Sequence, residues 1–292
     1  KTYIMLEVNK KVLWISDFDL DTAPGGAQRS DFLIIEKAKL LGISIKKTNK
    51  DNILDIENFN AFDMIVTSNV TVILNENPHL LNHIYSHKNH VRLEHDSNEH
   101  ISSEQRVKLF SNCKKTIFLS DYHYNFFKEL YGEIFQNVEI IYDPINIKKF
   151  KNENREREDK ILFAGYMHEL KGINSFFEYA LENPNKDFVI AGFTSSKIYH
   201  MLAQKIKNIE YLGKVNHDKM PEIFNKYKAM FYSPLVREPF CRSVAEAVLC
   251  GMDILTDRQD KIGSLQEIKK VGIEEFRDKC NDAVNEFWKE VL

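Results

Sequence analysis

The sequence predicts an α/β protein built from doubly wound, mainly parallel sheets in two domains, and three observations carry that prediction. Short apolar runs that read as buried strands alternate with helical stretches along most of the chain. A charge run, Lys148 to Lys160, lacks apolar periodicity and reads as a solvated interdomain linker. Beyond it the pattern restarts with a buried strand, Ile161 to Gly165. The expected division is a first domain over 1–150, a second over 151–272 and a terminal helix over 273–292.

Composition narrows the function classes. At 292 residues, 43% hydrophobic and 12% aromatic, the chain can bury a sizeable core, and disorder is not expected. A net charge of −3, from 40 basic and 43 acidic side chains, argues against a nucleic-acid binder acting through bulk charge. Cys113, Cys241, Cys250 and Cys280 show no CxxC spacing and fit reduced thiols better than a disulfide frame. No apolar run approaches the ~20 residues that cross a bilayer, and no signal-peptide pattern opens the chain. The expectation is a soluble, cytoplasmic protein, with peripheral membrane contact left open.

In chain order, Lys11 to Ser16 is the first buried strand, and it delivers the chain into Asp17, Asp19 and Asp21. Pro24-Gly25-Gly26 follows, then a helix from Ala27 to about Leu41 that stops at Gly42. Glycines at a helix start admit close approach of a phosphate, although an ordinary βα turn explains them equally well. The aspartates do not make an EF-hand, because Thr22 and Gln28 stand where that loop needs Gly and Glu. Asp17 and Asp19 partly resemble the nucleophile pair of a haloacid-dehalogenase phosphatase, but Asp21 stands where that motif has Thr.

Strands are expected over Ile43–Lys47, Phe62–Thr67, His90–Glu94, Thr116–Leu119 and Val138–Ile141. Six histidines lie between Pro78 and His100, and His79, His83 and His87 recur every four residues. They would share one face of a helix and invite a metal, yet no acid or thiol completes the set, so a solvated polar face is preferred. His95 differs. It follows a strand, at the carboxyl edge where open α/β sheets bind ligands, and with Asp96 it is a candidate site residue.

In the second half, Leu170-Lys171-Gly172 opens a helix over Ile173–Leu181, and the Lys171 ammonium could meet a diphosphate as a point charge. Asp187–Gly192 is a strand, Ser195–Lys207 a helix, and Tyr211-Leu212-Gly213 closes a short strand. His217–Lys228 reads as a helix whose Met220, Ile223, Phe224 and Tyr227 pack the core. The strand opening at Ala229 ends at Ser233-Pro234, before a loop over Leu235–Pro239 and a helix from Phe240 to Cys250, stopped by Gly251. Asp253–Thr256, a helix start at Gly263-Ser264 and a final helix over Glu274–Leu292 complete the chain.

Glu238 in that loop and Glu246 in that helix stand about 10 Å apart along one wall, at ~1.5 Å rise per residue. Amides of Cys241, Arg242 and Ser243 at the helix start would face an anion between the two acids, each of which can accept hydroxyl groups. A lone pair of glutamates is usually just solvated. Here Glu238, Pro239, Phe240, Glu246, Ala247 and Gly251 resemble the donor-site motif of retaining GT-B glycosyltransferases of family 4.

That resemblance implies two Rossmann-like domains facing across a cleft, with the terminal helix packing back on the first. It implies a retaining hexosyl transfer from a nucleoside-diphosphate sugar, such as a UDP or GDP donor, to a hydroxyl of a glycan, lipid or small molecule. By the same resemblance Glu238 meets the transferred sugar, Glu246 the ribose, His95 lies near the sugar, and Gly25-Gly26 face the donor phosphates. Gly165, Lys171, Phe240, Cys241 and Arg242 complete the implied donor site. No metal or other cofactor is implied. The family's strand-end arginine is missing, since Tyr166 follows Gly165, and Arg242 is a candidate to supply that charge. Two other readings stand beside this one: a magnesium-dependent phosphatase on Asp17 and Asp19, and a non-catalytic nucleotide-sugar binder, favoured by Tyr166.

Overall fold

Lys-Val-Leu-Trp-Ile at 11–15 is apolar on both faces, which suits only a strand covered on both sides. The computed structural model of the chain describes residues 10–97 and 103–292, and there this segment lies inside a six-stranded parallel sheet. The strands are β1 (Lys11–Ile15), β2 (Ser44–Thr48), β3 (Met64–Thr67), β4 (His90–Leu93), β5 (Lys115–Phe118) and β6 (Val138–Ile140). Their order is β2-β1-β3-β4-β5-β6, with Val12 opposite Ile45 on one side and Leu13 opposite Ile65 on the other. This unit runs to Pro144 and also includes Asn281–Leu292. Phe287 and Trp288 of that last segment pack on Trp14 at 5.7 and 6.5 Å, and Trp288 Nε1 donates to the Ile34 carbonyl at 2.8 Å.

The second unit, Ile145–Cys280, holds a five-stranded parallel sheet. Its strands are β7 (Glu158–Tyr166), β8 (Asp187–Phe193), β9 (Ile209–Gly213), β10 (Tyr227–Phe231) and β11 (Asp253–Leu255), in the order β11-β10-β7-β8-β9. The chain order reverses between β7 and β10, and the carboxyl edge at such a reversal is where open α/β sheets take their ligands. Phe163, Phe176, Phe188 and Ile190 form the core beneath, with Phe163 and Phe176 at 5.4 Å.

The charge run behaves differently from a free linker. Glu158 to Lys160 already belong to β7, and Arg157 donates to the carbonyls of Phe224 at 2.6 Å, Tyr227 at 3.0 Å and Cys250. Arg155 likewise reaches the carbonyls of Glu222 and Asn225. These guanidinium groups satisfy chain ends that would otherwise point at solvent. The helix expected over His217–Lys228 is shorter, a single turn at His217–Lys219 followed by a helix over Met220–Lys226, and Tyr227 begins β10 instead.

The histidine row does not share a helix. The helix there spans only Leu80–Tyr85; His83 stacks on Phe59 at 5.5 Å, and His87 is buried with its ring on the Phe62 carbonyl. His100 lies outside the described residues. Among the described residues no three His, Cys, Asp or Glu side chains group as a metal site, the four cysteines are buried and form no disulfide, and no helix is long and apolar enough to cross a membrane.

Candidate active site

The crevice of the second unit is furnished by the two loops that the strand order sets side by side. Leaving β7, the chain makes a tight turn at Glu169–Lys171 that ends on Gly172 in a left-handed conformation, φ 84°. A Cβ on Gly172 would lie 2.2 Å from the Ser233 carbonyl oxygen, so only glycine lets this turn touch the loop leaving β10. The Leu235 amide then donates to the Leu170 carbonyl at 3.0 Å, tying the two loops together.

Glu238 is locked at both main-chain and side-chain level. Its amide donates to Lys261 at 2.8 Å and its carbonyl accepts from Gly263 at 2.9 Å. Its Oε1 accepts from Lys171 Nζ at 2.6 Å and from the Tyr232 hydroxyl at 2.9 Å. Burial, reinforced by Cys241 and Glu238, raises the Tyr232 hydroxyl far above its ordinary range, so it remains a donor at any working pH. Cys241 follows in the left-handed region, φ 65°, at the position preceding the helix Arg242–Leu249, and its side chain makes no capping bond. Burial and the nearby Glu238 push its thiol up to about 12, against the pull of Lys171, which makes it a poor nucleophile.

One helical turn on, Glu246 accepts from Arg242 Nε at 2.8 Å and from His217 Nε2 at 2.9 Å. Arg242 is thus turned onto the second acid of the pair. Phe240 is 1% exposed and stacks on Phe276 at 5.6 Å, so its ring packs the unit from within. Gly165 is the penultimate residue of β7, at φ 120°, and a Cβ on Gly192 would meet the Gly165 carbonyl at 2.1 Å. Tyr166 lies beside it with its hydroxyl 2.8 Å from Ser195 Oγ and its ring against His168 and Phe193. Tyr232 and His217 escaped the sequence reading, because each reaches its glutamate through folding and neither sits in a recognisable spacing.

In the first unit, Gly25 and Gly26 are exposed at the start of the helix Gly26–Leu40. His95 is buried, with Nε2 3.1 Å from Asp31 Oδ1, and Ser68 donates to the same carboxylate oxygen at 3.0 Å. Desolvation works against the charged ring, but Asp31, with Asp143 and Asp96 behind it, outweighs that and raises the His95 pKa. Asp17 accepts from the amides of Val72 at 3.0 Å and Ile73 at 2.9 Å, and Asp19 is held by Asn49 and Lys47. Both carboxylates are engaged in holding loops together, and Asp17, spanned by two amides, is badly placed to act as a phosphatase nucleophile.

Residues 144–268 match the family model described as glycosyl transferases group 1. Among solved structures, HepE of Anabaena in complex with UDP and glucose superposes with a TM-score of 0.68 at 16% identity, over 97% of this chain and 92% of the other. Sucrose-phosphate synthase from Thermosynechococcus elongatus gives 0.66 at 12% identity, over 97% and 96% of the two chains. A glycosyltransferase from Rickettsia africae gives 0.63 at 12% identity, over 97% and 99%. Among curated proteins none matches by sequence. The chain is a glycosyltransferase of the GT-B fold, carrying a glycosyl transferases group 1 domain over residues 144–268.

Proposed function

We propose that this enzyme moves a sugar from a nucleoside-diphosphate sugar to an acceptor hydroxyl with retention of anomeric configuration. The observation that carries the reading is the meeting of Lys171 and Glu238, 2.6 Å apart, at the carboxyl edge where the sheet order reverses and next to the start of the helix Arg242–Leu249. A carboxylate, a cation and a helix start in one crevice offer a hydroxyl acceptor and an anion cradle together. Glu238 holds the transferred sugar, Glu246 the ribose, and Lys171 with the helix amides the departing diphosphate. UDP sugars are the first donors to test, since HepE is also solved with UDP-glucose.

The protein acts in this reading by positioning and by neutralising a leaving group. Those groups supply the charge that a metal would otherwise bring, so turnover is expected to continue in excess chelator. A transfer assay with UDP-, GDP-, ADP- and dTDP-linked sugars, with product anomers read by NMR, tests this. Retained configuration in chelator supports it, and inverted products or a strict magnesium requirement contradict it. A second reading, a nucleotide-sugar binder without turnover, is favoured by Tyr166, whose hydroxyl is paired with Ser195 where the resemblance leads one to expect a guanidinium. Binding without transfer or donor hydrolysis would select it.

A further inference from the structure

His217 is the polar side chain of the crevice whose task is least obvious. It stands in the turn His217–Lys219, 29 positions before Glu246, with Nε2 2.9 Å from Oε1 and 3.1 Å from Oε2 of that acid. Facing an ionised carboxylate, this nitrogen carries the hydrogen and donates. Arg242 Nε donates to the same Oε1 at 2.8 Å. Oε1 therefore accepts two N–H groups, which fills its two lone pairs. Among the described residues Oε2 takes only the longer leg of the His217 bond and keeps acceptor capacity.

The clamp is itself held in place. The His217 ring lies 5.1 Å from Phe150, which packs in turn on Phe224, and the Asn216 side chain accepts from the Asp218 amide at 3.0 Å. Side-chain exposure is 3% for Glu246, 8% for Arg242 and 25% for His217, so the imidazole is the clamp's open side.

We propose that His217 is a positioning residue: with Arg242 it saturates one oxygen of Glu246, presents the other to the ribose, and makes the enzyme select ribonucleoside over 2′-deoxyribonucleoside diphosphates. This rests on Glu246 being the ribose acceptor. A site built around a buried acceptor rejects an analogue that lacks the hydroxyl, because the acceptor is then left unpaired. Without the His217 N–H, Glu246 is held at one point by Arg242, its carboxylate is free to rotate, and the discrimination falls.

The test is calorimetric titration of the whole chain with UDP and 2′-deoxy-UDP, and with the matching ADP and GDP pairs, in wild type, His217→Phe and His217→Gln. Wild type is expected to bind the ribo member of at least one pair ~10-fold tighter than its deoxy partner. His217→Phe keeps a ring against Phe150 but loses the N–H, and is expected to bring the two within about 3-fold, chiefly by weakening the ribo form. His217→Gln, whose amide donates, is expected to restore most of the preference. Ribo preference unchanged in His217→Phe overturns the proposal while leaving the role of Glu246 standing. Equal affinity for both members in wild type overturns it without recourse to any variant. Failure of all three ribonucleotides to bind wild type removes the donor-site reading and the proposal with it.

Discussion

Lys171 and Glu238 stand 67 positions apart in the chain, and Lys171 Nζ lies 2.6 Å from Glu238 Oε1. One leaves the end of β7 and the other the end of β10, the adjacent strands between which the connection order reverses. A cation and a carboxylate are thereby placed where an open α/β sheet takes its ligand.

Glu238→Gln and Glu238→Ala should separate catalysis from stability. The glutamine can still accept from Tyr232, so its melting temperature should stay near wild type while turnover falls ~100-fold or more. The alanine also leaves the buried Tyr232 hydroxyl without its acceptor, which costs about 1–3 kcal/mol. Steady-state kinetics with thermal melting check both.

Gly172→Ala should damage the site from behind. Its φ of 84° disfavours any side chain, and the Ser233 carbonyl 2.2 Å from the added Cβ belongs to rigid main chain. The turn carrying Lys171 must shift, so a lower melting temperature and donor affinity reduced ~10-fold or more are expected. Unchanged affinity would mean that the turn does not position Lys171 for the donor.

Two buried histidines are expected to weaken the first unit in acid. Burial holds both His90 and His123 down at about 3, against an ordinary 6.5. The unfolded chain therefore gains their protons first, and stability is lost as pH falls from 6.5 towards 3, by about 1.4 kcal/mol per unit for each fully buried ring. His123 packs edge-on against Phe118 and Phe127, and neither ring nitrogen finds a hydrogen-bond partner among the described residues. His123→Phe should raise the melting temperature at pH 5 by more than at pH 8. A gain independent of pH would refute the titration.

His95 has the opposite sign. Its folded pKa is raised, so the stability it contributes is complete below 6.5 and disappears as pH climbs through that raised value. Asp31→Asn should remove this alkaline loss, read from melting temperatures between pH 6 and 9. A slope unchanged by the substitution would assign it to other groups.

The strands were legible because unbroken apolar runs such as 12–15 and 161–165 admit little but a sheet covered on both faces. Lys171, Glu238 and Glu246 stood out in the sequence through the resemblance of their surrounding motifs to a known donor site, and the structure brings Lys171 onto Glu238. Other features depended on partners far along the chain. Arg157 looks like one more solvated charge until the carbonyls of Phe224, Tyr227 and Cys250 come round to it. Phe240 adjoins Glu238 in sequence, yet its ring faces Phe276. His217 and Tyr232 meet their glutamates only after β10 is in register with β7.

The most direct measurement is a thermal shift of wild type and Glu246→Ala against UDP-, GDP-, ADP- and dTDP-sugars. One donor at 100 times its dissociation constant should stabilise wild type by about 2.7 kcal/mol and leave the variant nearly unmoved. If no compound shifts wild type, or if a bound donor shifts both proteins equally, Glu246 does not hold a nucleotide sugar and the account fails.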